Sequence, residues 1–430
     1  MDTTFEATAT KYIEEHGDRD LRQIITDKIP EGGDMRPFYI ANLDDIVNKH
    51  KRWEKLMPRV KPFYAVKCNN TEPVVKTIAA LGAGFDCASS SEFQQVLKYG
   101  VQTDRIIYAH TCKDPEELKR ASELGVDLMT FDNEDEIVKI KRLFPDAKLV
   151  LRIVPQVRKA VYDMGKKFGC NVEDCQGLLL KAKELELNVI GISFHGGSKC
   201  QDAFAYQHTI LLCRDIFDLA KTIGFNFNLL DIGGGFPGYE TGEHSFFSDI
   251  ANTINDSLEE YFPEDENVKV IAEPGCYYVE SAFTLALRVI ARKVEQPGKW
   301  LKIEDSENED DTKKSFMYYL NDGLHGSFFF HILFEDDVPD FYVVENKDSM
   351  PVFKSSLWGP TCNPHDCITQ EIELPELDIG DWLYVPNMGA YTTVVVTSFN
   401  GMPTPKIHYI ASNDIICELG LQRNEFTTVN

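Results

Sequence analysis

The stretch PFYAVKCN, residues 62–69, places a single lysine, Lys67, after an apolar run typical of a buried strand and just before a polar turn. An ammonium group with little water around it is poorly solvated, so we predict that the pKa of this lysine is lowered. A neutral amine at a strand end suits attack on an aldehyde, as in Schiff-base chemistry. These residues alone also allow an alternative to a catalytic lysine: a structural lysine whose side chain reaches water at the strand terminus.

Seven further strand-like segments alternate with amphipathic helical stretches between residues 40 and 280. Strict alternation of eight strands with helices predicts a (β/α)8 TIM barrel, here over residues 42–281, rather than a doubly wound sheet. Polar and glycine residues gather at the carboxyl ends of the predicted strands, where barrel active sites lie. The seven segments are GAGFDCAS, RIIYAH, LMTFD, KLVLRIV, NVIGISFHG, FNLLDIGGG and VKVIAEPG.

The pattern changes after residue 282, where strand-like segments follow one another without long helices. We predict a C-terminal all-β domain here, a β-sandwich or modified Greek key of residues 282–430 completed by residues 1–41. The N-terminal part is expected to add a helix and an edge strand, FYIANL. The strand-like segments are SFMYYLND, HGSFFFHILF, SSLWGP, DWLYVPNMG, TTVVVTSFNG and KIHYIA.

Composition excludes several classes of protein. The net charge of −25 and the isoelectric point near 4.8 argue against a nucleic-acid partner, because nothing offsets the repulsion of phosphates. No window approaches the roughly 20 apolar residues of a membrane span, so we expect no membrane association. The first residues carry neither a signal core nor a transit pattern, and the 11 cysteines lack a CxxC pattern, which favours free thiols in the cytoplasm.

Three consecutive glycines, Gly233, Gly234 and Gly235, end a late strand of the predicted barrel in the segment DIGGGFPG. Backbone N–H groups approach an anion closely where no side chain intervenes, so this segment indicates a phosphate site. A tight turn of the barrel explains the glycines equally well. Their place at a late strand end, where barrels often bind phosphate, favours the phosphate site.

Charged and polar side chains mark four other predicted strand ends. Glu273 in AEPG can keep a pyridinium nitrogen protonated, or it can form a supporting salt bridge. His195 in FHGGS can stack on a planar ring and Ser198 can bind phosphate, whereas a satisfied core histidine is the alternative. Asp86 and Arg152 lie at equivalent ends, where each has a structural explanation too. Taken with the lysine and the glycines, the set indicates pyridoxal 5'-phosphate.

Seven motifs occur in order over nearly the full length, and together they resemble the eukaryotic ornithine decarboxylase and antizyme inhibitor family, whose barrel fold is like that of alanine racemase. The resemblance implies a pyridoxal phosphate-dependent decarboxylase, in the simplest case one that converts L-ornithine to putrescine and carbon dioxide in polyamine biosynthesis. The motifs are PFYAVKCN, GFDCAS, LDIGGGFPG, AEPG with YYV, YYLNDG, WGPTC and NMGAYT.

The resemblance also assigns roles to residues. It implies that Lys67 is the Schiff-base lysine, that Glu273 binds the pyridinium nitrogen and that His195 stacks on the ring. It further implies a head-to-tail homodimer in which Cys362 of one subunit reaches the site of the other and helps to protonate the Cα carbon. The other cofactor contacts that it implies are Asp86, Arg152, Ser198, Gly233, Gly234, Gly235, Gly275, Cys276 and Tyr391.

The chain departs from the family pattern at the cofactor phosphate and in the substrate pocket. Cys276 replaces an arginine that clamps the phosphate. Asn363 replaces the aspartate that binds the distal amine of ornithine. Beside it, Glu335 occupies the position of the usual acid and Phe334 the position of the usual tyrosine. Together with Phe399, these three form the implied substrate pocket. The pocket is less anionic by one charge, so Asn363→Asp is expected to improve ornithine binding.

Two functional classes therefore stay open. One is an active decarboxylase for ornithine, or one retuned to lysine, arginine or a neutral amino acid. The other is a regulator like antizyme inhibitor that binds antizyme and has lost catalysis. A small residue at position 276 is shared with the second group, whereas the retained lysine, acid and cysteine favour the first. Residues 117–148 match the antizyme-contacting region of the family only in part.

Overall fold

The computed structural model describes residues 13–15, 20–29, 32–155, 167–197, 203–240, 246–295, 314–332, 338–347 and 349–420. Contacts divide the chain into two compact units. The barrel unit comprises residues 45–280, and the sheet unit comprises residues 1–44 with 281–430. Three residues of the predicted site, Ser198, Phe334 and Glu335, lie outside the described residues.

Eight parallel strands of the barrel unit close into a barrel. The first strand, Val60–Ala65, pairs with the second strand on one side and with the eighth on the other, so the ring has no free edge. The predicted fold class is thereby confirmed for this unit. The remaining strands are Gly84–Cys87, Ile106–Tyr108, Leu128–Phe131, Lys148–Ile153, Asn188–Phe194, Leu229–Asp231 and Lys269–Ala272.

Helices follow the barrel strands, and their ends obey local rules. In Pro115–Leu124, the Asp114 side chain accepts the N–H of Glu116, and Gly125 ends the helix in the left-handed conformation. The other helices of this part of the chain are Leu43–Leu56, Glu72–Ala80, Ser90–Lys98, Glu134–Leu143, Cys175–Glu184, Ala203–Ile223, Phe246–Tyr261 and Cys276–Val279. Among the described residues, no helix is both long and apolar enough to cross a membrane.

Apolar side chains from several strands fill the barrel interior. Phe63, Ile107, Val150, Leu229 and Ile271 belong to one buried cluster and are almost completely covered. Because the interior is packed, a ligand can meet the barrel only at its ends. The carboxyl ends of the strands, which we call the barrel mouth, carry the polar residues singled out by the sequence.

A nine-stranded sheet forms the body of the sheet unit, and helices Leu21–Lys28, Phe329–Ile332 and Asn413–Glu418 accompany it. The strand Phe38–Asn42 pairs on both sides, with Lys406–Ala411 and with Phe283–Glu295, so its prediction as an edge strand was wrong. Its buried pattern suits an interior place. The other strands are Ile13–Glu15, Ser315–Leu320, Tyr342–Val343, Val352–Trp358, Cys367–Pro375 and Trp382–Val385.

Two segments predicted as strands have other structures. HGSFFFHILF, residues 325–334, begins in a turn and contains the helix Phe329–Ile332, its last two residues lying outside the described part. TTVVVTSFNG, residues 392–401, is a loop that ends in a 3-10 turn. The backbone N–H of Thr397 in this loop donates to the carbonyl of His325 at 3.0 Å. Loop contacts of this kind override the strand preference of β-branched residues.

Candidate active site

Lys67 lies at the barrel mouth on a single 3-10 turn, Val66–Cys68, directly after the first strand. Asp86 in the second strand is completely buried, and its Oδ2 forms an ion pair with the Lys67 ammonium. The Lys67 side chain nevertheless keeps 37% of its surface exposed. The second oxygen of Asp86, Oδ1, has no hydrogen-bond partner among the described residues. Lys67 therefore lies between a buried carboxylate and the open end of the barrel.

The pKa of Lys67 differs from the prediction. Burial lowers it, but the carboxylates of Asp86 and Glu273 together raise it by more, so the pKa of the Lys67 amine is raised. The expectation of a lowered pKa was wrong because it counted the loss of water and not the acids that face the amine. These acidic neighbours hold Lys67 as an ammonium.

Glu273 follows the eighth strand, and Asp231 ends the seventh. Both carboxyl groups are almost fully buried, with exposures of 4% for Glu273 and 0% for Asp231. Burial raises the pKa of Glu273 well above its usual value, and the carboxylates of Asp231 and Asp86 raise it further. Glu273 Oε1 has no hydrogen-bond partner among the described residues. A buried acceptor without a donor at the barrel mouth is suited to an N–H group of a ligand.

The three predicted glycines join these acids through the backbone. The Gly233 N–H donates to Asp231 Oδ1 at 2.9 Å, and the Glu273 N–H donates to the Gly233 carbonyl at 2.6 Å. A Cβ atom at Gly234 would lie 2.7 Å from both the Glu273 carbonyl oxygen and His195 Nε2. Gly235 has a φ of 110°, which a side chain would strain. Only glycine lets the backbone pass this close to the histidine ring.

His195 and Arg152 complete the described polar residues of the predicted site in the barrel unit. His195 Nδ1 accepts the N–H of Gly197 at 3.0 Å, which fixes the ring orientation. Burial, with further contributions from the positive charges of Arg152 and Lys67, lowers the pKa of His195 well below its usual value, so the ring is neutral. Arg152 is 6% exposed, and its guanidinium lies 5.2 Å from the ring centre of Phe168.

Cys276 begins the short helix Cys276–Val279 and is partly exposed, while the neighbouring Gly275 packs against Cys68. A lysine lies in this region as well. The Lys49 ammonium donates to the carbonyls of Gly238 and Tyr277, so it is engaged by the backbone. Because its ammonium is bound to these carbonyls, Lys49 does not replace the arginine that the family pattern has at position 276.

The predicted substrate residues of the sheet unit lie close together. Asn363 Nδ2 lies 2.8 Å from His325 Nε2, and the His325 ring packs on Phe399 with a distance of 4.5 Å between ring centres. Cys362 is exposed, and its N–H donates to Asn400 Oδ1 at 2.8 Å. The structure thus brings Cys362, Asn363 and Phe399 into one cluster, together with a histidine that sequence reasoning missed.

Tyr391, the last predicted phosphate contact, has a φ of 52°, an unusual value for a residue with a side chain. Its ring stacks on Phe330 with a distance of 5.0 Å between ring centres. Strain of this kind often marks functional loops. It stays a prediction that Tyr391 binds phosphate.

Sequence reasoning overlooked two residues of these clusters. Asp231 stands directly before the glycines, and a carboxylate ahead of a glycine run was the available signal. His325 begins the segment HGSFFFHILF, which was predicted only as a strand. Nothing in the sequence indicated that His325 contacts Asn363, because 38 residues separate them.

The match to a known protein family covers the whole barrel unit. Residues 43–280 match the family described as pyridoxal-dependent decarboxylase, pyridoxal binding domain. The chain belongs to this family. Members of the pyridoxal-dependent decarboxylase family use pyridoxal phosphate, so the predicted cofactor and enzyme class are confirmed.

Individual relatives extend the match to the sheet unit. Ornithine decarboxylase of Mus musculus is 46% identical over 398 residues, which cover 91% of this chain and 85% of the relative. Antizyme inhibitor 2 of Xenopus laevis is 47% identical over 393 residues, 91% of this chain and 84% of the relative. The crystal structure of Paramecium bursaria Chlorella virus arginine decarboxylase bound to agmatine aligns with a TM-score of 0.83 at 36% identity, covering 91% of this chain and 100% of that one. Identity alone does not separate enzymes from antizyme inhibitors.

The residues at the barrel mouth fit the cofactor of the family. Glu273 Oε1 is a buried acceptor without a donor among the described residues, as a pyridine N–H requires. The backbone at Gly234 passes so close to His195 that a Cβ atom there would lie 2.7 Å from Nε2, so the glycine and the imidazole lie side by side at the mouth. Lys67 carries a partly exposed side chain at the same mouth, and its amine is paired with Asp86. These features are independent of the match in sequence.

Proposed function

We propose that this protein is a pyridoxal phosphate-dependent L-amino-acid decarboxylase, with L-ornithine as the first candidate substrate and putrescine and carbon dioxide as products. The observation that carries the proposal is the buried Glu273 oxygen without a donor, in a mouth that also holds Lys67. An acid at this position supports decarboxylation, because it keeps the ring nitrogen protonated and strengthens electron withdrawal.

Each residue of the barrel mouth has a proposed task. Lys67 would hold the cofactor through its aldehyde carbon, and Glu273 would accept the hydrogen bond of the ring N–H. His195 lies against the ring as a neutral imidazole, so it adds no charge that would compete with the ring nitrogen. Asp86, Arg152, Gly275 and the glycines 233–235 line the same space. Bound pyridoxal phosphate supplies the electron sink for the pair released as carbon dioxide leaves.

We assign the remaining proposed contacts to the phosphate and the substrate. Ser198, Cys276 and Tyr391 are proposed around the cofactor phosphate. Phe334, Glu335, Asn363 and Phe399 are proposed around the far end of the amino acid. Ser198, Phe334 and Glu335 rest on the motifs alone, because they lie outside the described residues.

The proposed assembly is a homodimer with shared sites. Cys362 is exposed on the sheet unit, and Phe399 keeps 45% of its surface exposed. An exposed thiol beside a large exposed aromatic ring suits a surface that another subunit covers. In such a dimer, Cys362 would donate a proton to the Cα carbon after carbon dioxide leaves. A cytoplasmic location agrees with the free cysteines of the described residues.

A second candidate function is supported by two observations. The chain is as similar to an antizyme inhibitor as to ornithine decarboxylase, and Cys276 removes a cation from the phosphate site. This candidate is a regulator of polyamine metabolism that binds antizyme without catalysis. Retention of Lys67, Glu273 and Cys362 favours the enzyme, because a regulator has no need of them.

One experiment separates the candidates. Purified protein is saturated with pyridoxal phosphate, and carbon dioxide release is measured from ornithine, lysine, arginine and a neutral amino acid, with Lys67→Ala as the inactive control. Release from any one substrate that Lys67→Ala abolishes supports the enzyme and identifies its preference. No release from any of them, combined with capture of purified antizyme, would support the regulator instead.

A further inference from the structure

The side-chain amide of Asn363 is hydrogen-bonded at both ends. Its Oδ1 accepts the backbone N–H of His365 at 3.0 Å, and its Nδ2 lies 2.8 Å from His325 Nε2. A backbone N–H can only donate, so the amide oxygen must face His365 and the amide nitrogen must face His325. The amide nitrogen can only donate, which makes His325 Nε2 the acceptor. The imidazole therefore carries its hydrogen on Nδ1 and is neutral.

His325 is held in place by its own contacts. Its carbonyl accepts the N–H and the hydroxyl of Thr397 at 3.0 and 2.9 Å. Its ring packs on Phe399 at an interplanar angle of 32°. The histidine thus has a fixed place between Asn363 and Phe399, two of the residues proposed to meet the substrate.

The two loops that carry the pair are joined by a buried carboxylate. Asp366 is 1% exposed; its Oδ1 accepts the N–H of Leu324 at 2.8 Å, and its Oδ2 accepts the N–H and hydroxyl of Thr361. Cβ atoms at Gly323 and Gly359 would lie 2.4 and 2.2 Å from Asp366 Oδ1, so the loops approach as closely as glycine permits. Because the loops are fixed, a substitution at position 363 stays within reach of His325.

We propose that His325 is a specificity-determining residue, which fixes the Asn363 amide and would neutralise a carboxylate at position 363, so that this wall presents no net charge to the far end of the substrate. The inference rests on the proposed decarboxylase function and deepens it. In the native pair both partners are neutral, so this wall of the pocket offers hydrogen bonds and no negative charge. This wall therefore leaves the recognition of an ammonium to the other residues proposed around the far end of the substrate.

The proposal reverses the expectation drawn from the sequence for Asn363→Asp. A carboxylate at position 363 would lie at hydrogen-bond distance from His325 Nε2 and would draw a proton onto the imidazole. The resulting ion pair is neutral overall, so most of the attraction for an ammonium is lost. The benefit of the aspartate emerges only after the histidine is removed.

A double-mutant cycle tests this prediction. We compare wild type with Asn363→Asp, His325→Gln and the double variant. For each protein, kcat/KM is measured on ornithine and on norvaline, which has the same carbon chain without the distal amine. The compared quantity is the ratio of kcat/KM for ornithine to kcat/KM for norvaline. We expect Asn363→Asp to raise this ratio at least about tenfold more in the His325→Gln variant than in wild type, mainly through KM. His365→Gln is the matched control, because His365 contacts position 363 through its backbone only.

A second measurement needs no turnover. Nitrogen-15 spectra of histidine-labelled protein, with the His325 signal identified by its loss in His325→Gln, should show a neutral ring with Nδ1–H in wild type and a doubly protonated ring in Asn363→Asp at the same pH. A neutral ring in both proteins, or equal gains in both backgrounds, would overturn the proposal. If no variant decarboxylates any amino acid, the proposed function fails, while the spectra still decide whether His325 neutralises a carboxylate at position 363.

Discussion

Asp231 and Glu273 place two buried carboxyl groups at the ends of neighbouring strands, linked through one glycine. Gly233 donates its N–H to Asp231 and accepts the N–H of Glu273. Neither Asp231 Oδ2 nor Glu273 Oε1 has a donor among the described residues, and the two side chains are within hydrogen-bonding reach. Burial raises the pKa of both carboxyl groups, because two buried acids this close cannot both ionise cheaply.

Asp231→Asn should change how stability depends on pH. Burial raises the pKa of Asp231 from 3.8 to about 6, so the folded state binds this proton more tightly than the unfolded state. The cofactor-free protein therefore loses stability as the pH rises from about 4 through about 6. Asparagine abolishes this loss, which we expect to be on the order of 3 kcal/mol, and its Oδ1 still accepts the Gly233 N–H.

Urea unfolding of the cofactor-free protein at several pH values measures this difference. Asp146→Asn, at an exposed aspartate, is the matched control and should follow wild type. Parallel pH profiles for wild type and Asp231→Asn would contradict a raised pKa of Asp231 in the folded protein.

Lys67→Ala should abolish covalent attachment of the cofactor, because it removes the amine at the barrel mouth. Borohydride reduction of the loaded protein, followed by peptide mass spectrometry, locates the attachment. Lys61→Ala is the matched control, since Lys61 lies exposed on the strand that precedes Lys67. A trapped adduct that survives in Lys67→Ala would remove this lysine from the proposal.

Cys276→Arg should tighten pyridoxal phosphate binding by roughly ten- to a hundredfold, because it adds a charge-assisted contact to a phosphate. Equilibrium titration of the cofactor absorbance measures the dissociation constant. Cys276→Ser tests whether the gain depends on charge and should bind about as wild type does. Equal or weaker binding by the arginine variant would mean that another cation already serves the phosphate.

Lys113→Met should destabilise the barrel unit. Lys113 is buried, forms an ion pair with Glu136 at 3.0 Å and donates to the Thr130 carbonyl at 2.6 Å. Its removal leaves a buried carboxylate with Lys139 as its remaining ion-pair partner in the described part of the chain. We expect a loss of about 2–4 kcal/mol in the free energy of unfolding.

The matched control for this variant is Lys119→Met. Lys119 forms an exposed ion pair with Glu116, and its loss should cost less than about 1 kcal/mol. Thermal or urea unfolding of both variants gives the comparison. Similar losses for the two lysines would contradict a special role of the buried pair.

The barrel could be predicted from the sequence because each strand carries its own signal. Parallel strands bring their carboxyl ends to one face, so the predicted proximity of Lys67, Asp86 and Glu273 followed from the pattern alone. The raised pKa of Lys67 could not be predicted, because it depends on the distances to its two acids. The same holds for His325 and Asn363, whose contact arises from loops that no periodicity describes.

The sheet unit was harder to predict for a related reason. Thr392–Thr397 has the composition of a strand, yet its backbone bonds to the loop of His325 instead of a neighbouring strand. Local preference decides only where tertiary contacts do not compete. The central place of Phe38–Asn42 likewise depends on Lys406–Ala411, nearly the whole chain away.

The pairing of the first and eighth strands, which we call the seam of the barrel, has a consequence for when the cofactor site is complete. Val270 pairs with Val60 across the seam, and the Ala65 N–H donates to the Pro274 carbonyl at 3.2 Å. Lys67 therefore meets Glu273 only where the first and last strands join, although about 200 residues separate them in the chain. A growing polypeptide on the ribosome has the lysine long before it has the acid. With the proposed roles of Lys67 and Glu273, a complete pyridoxal phosphate site would form only after the eighth strand has been made.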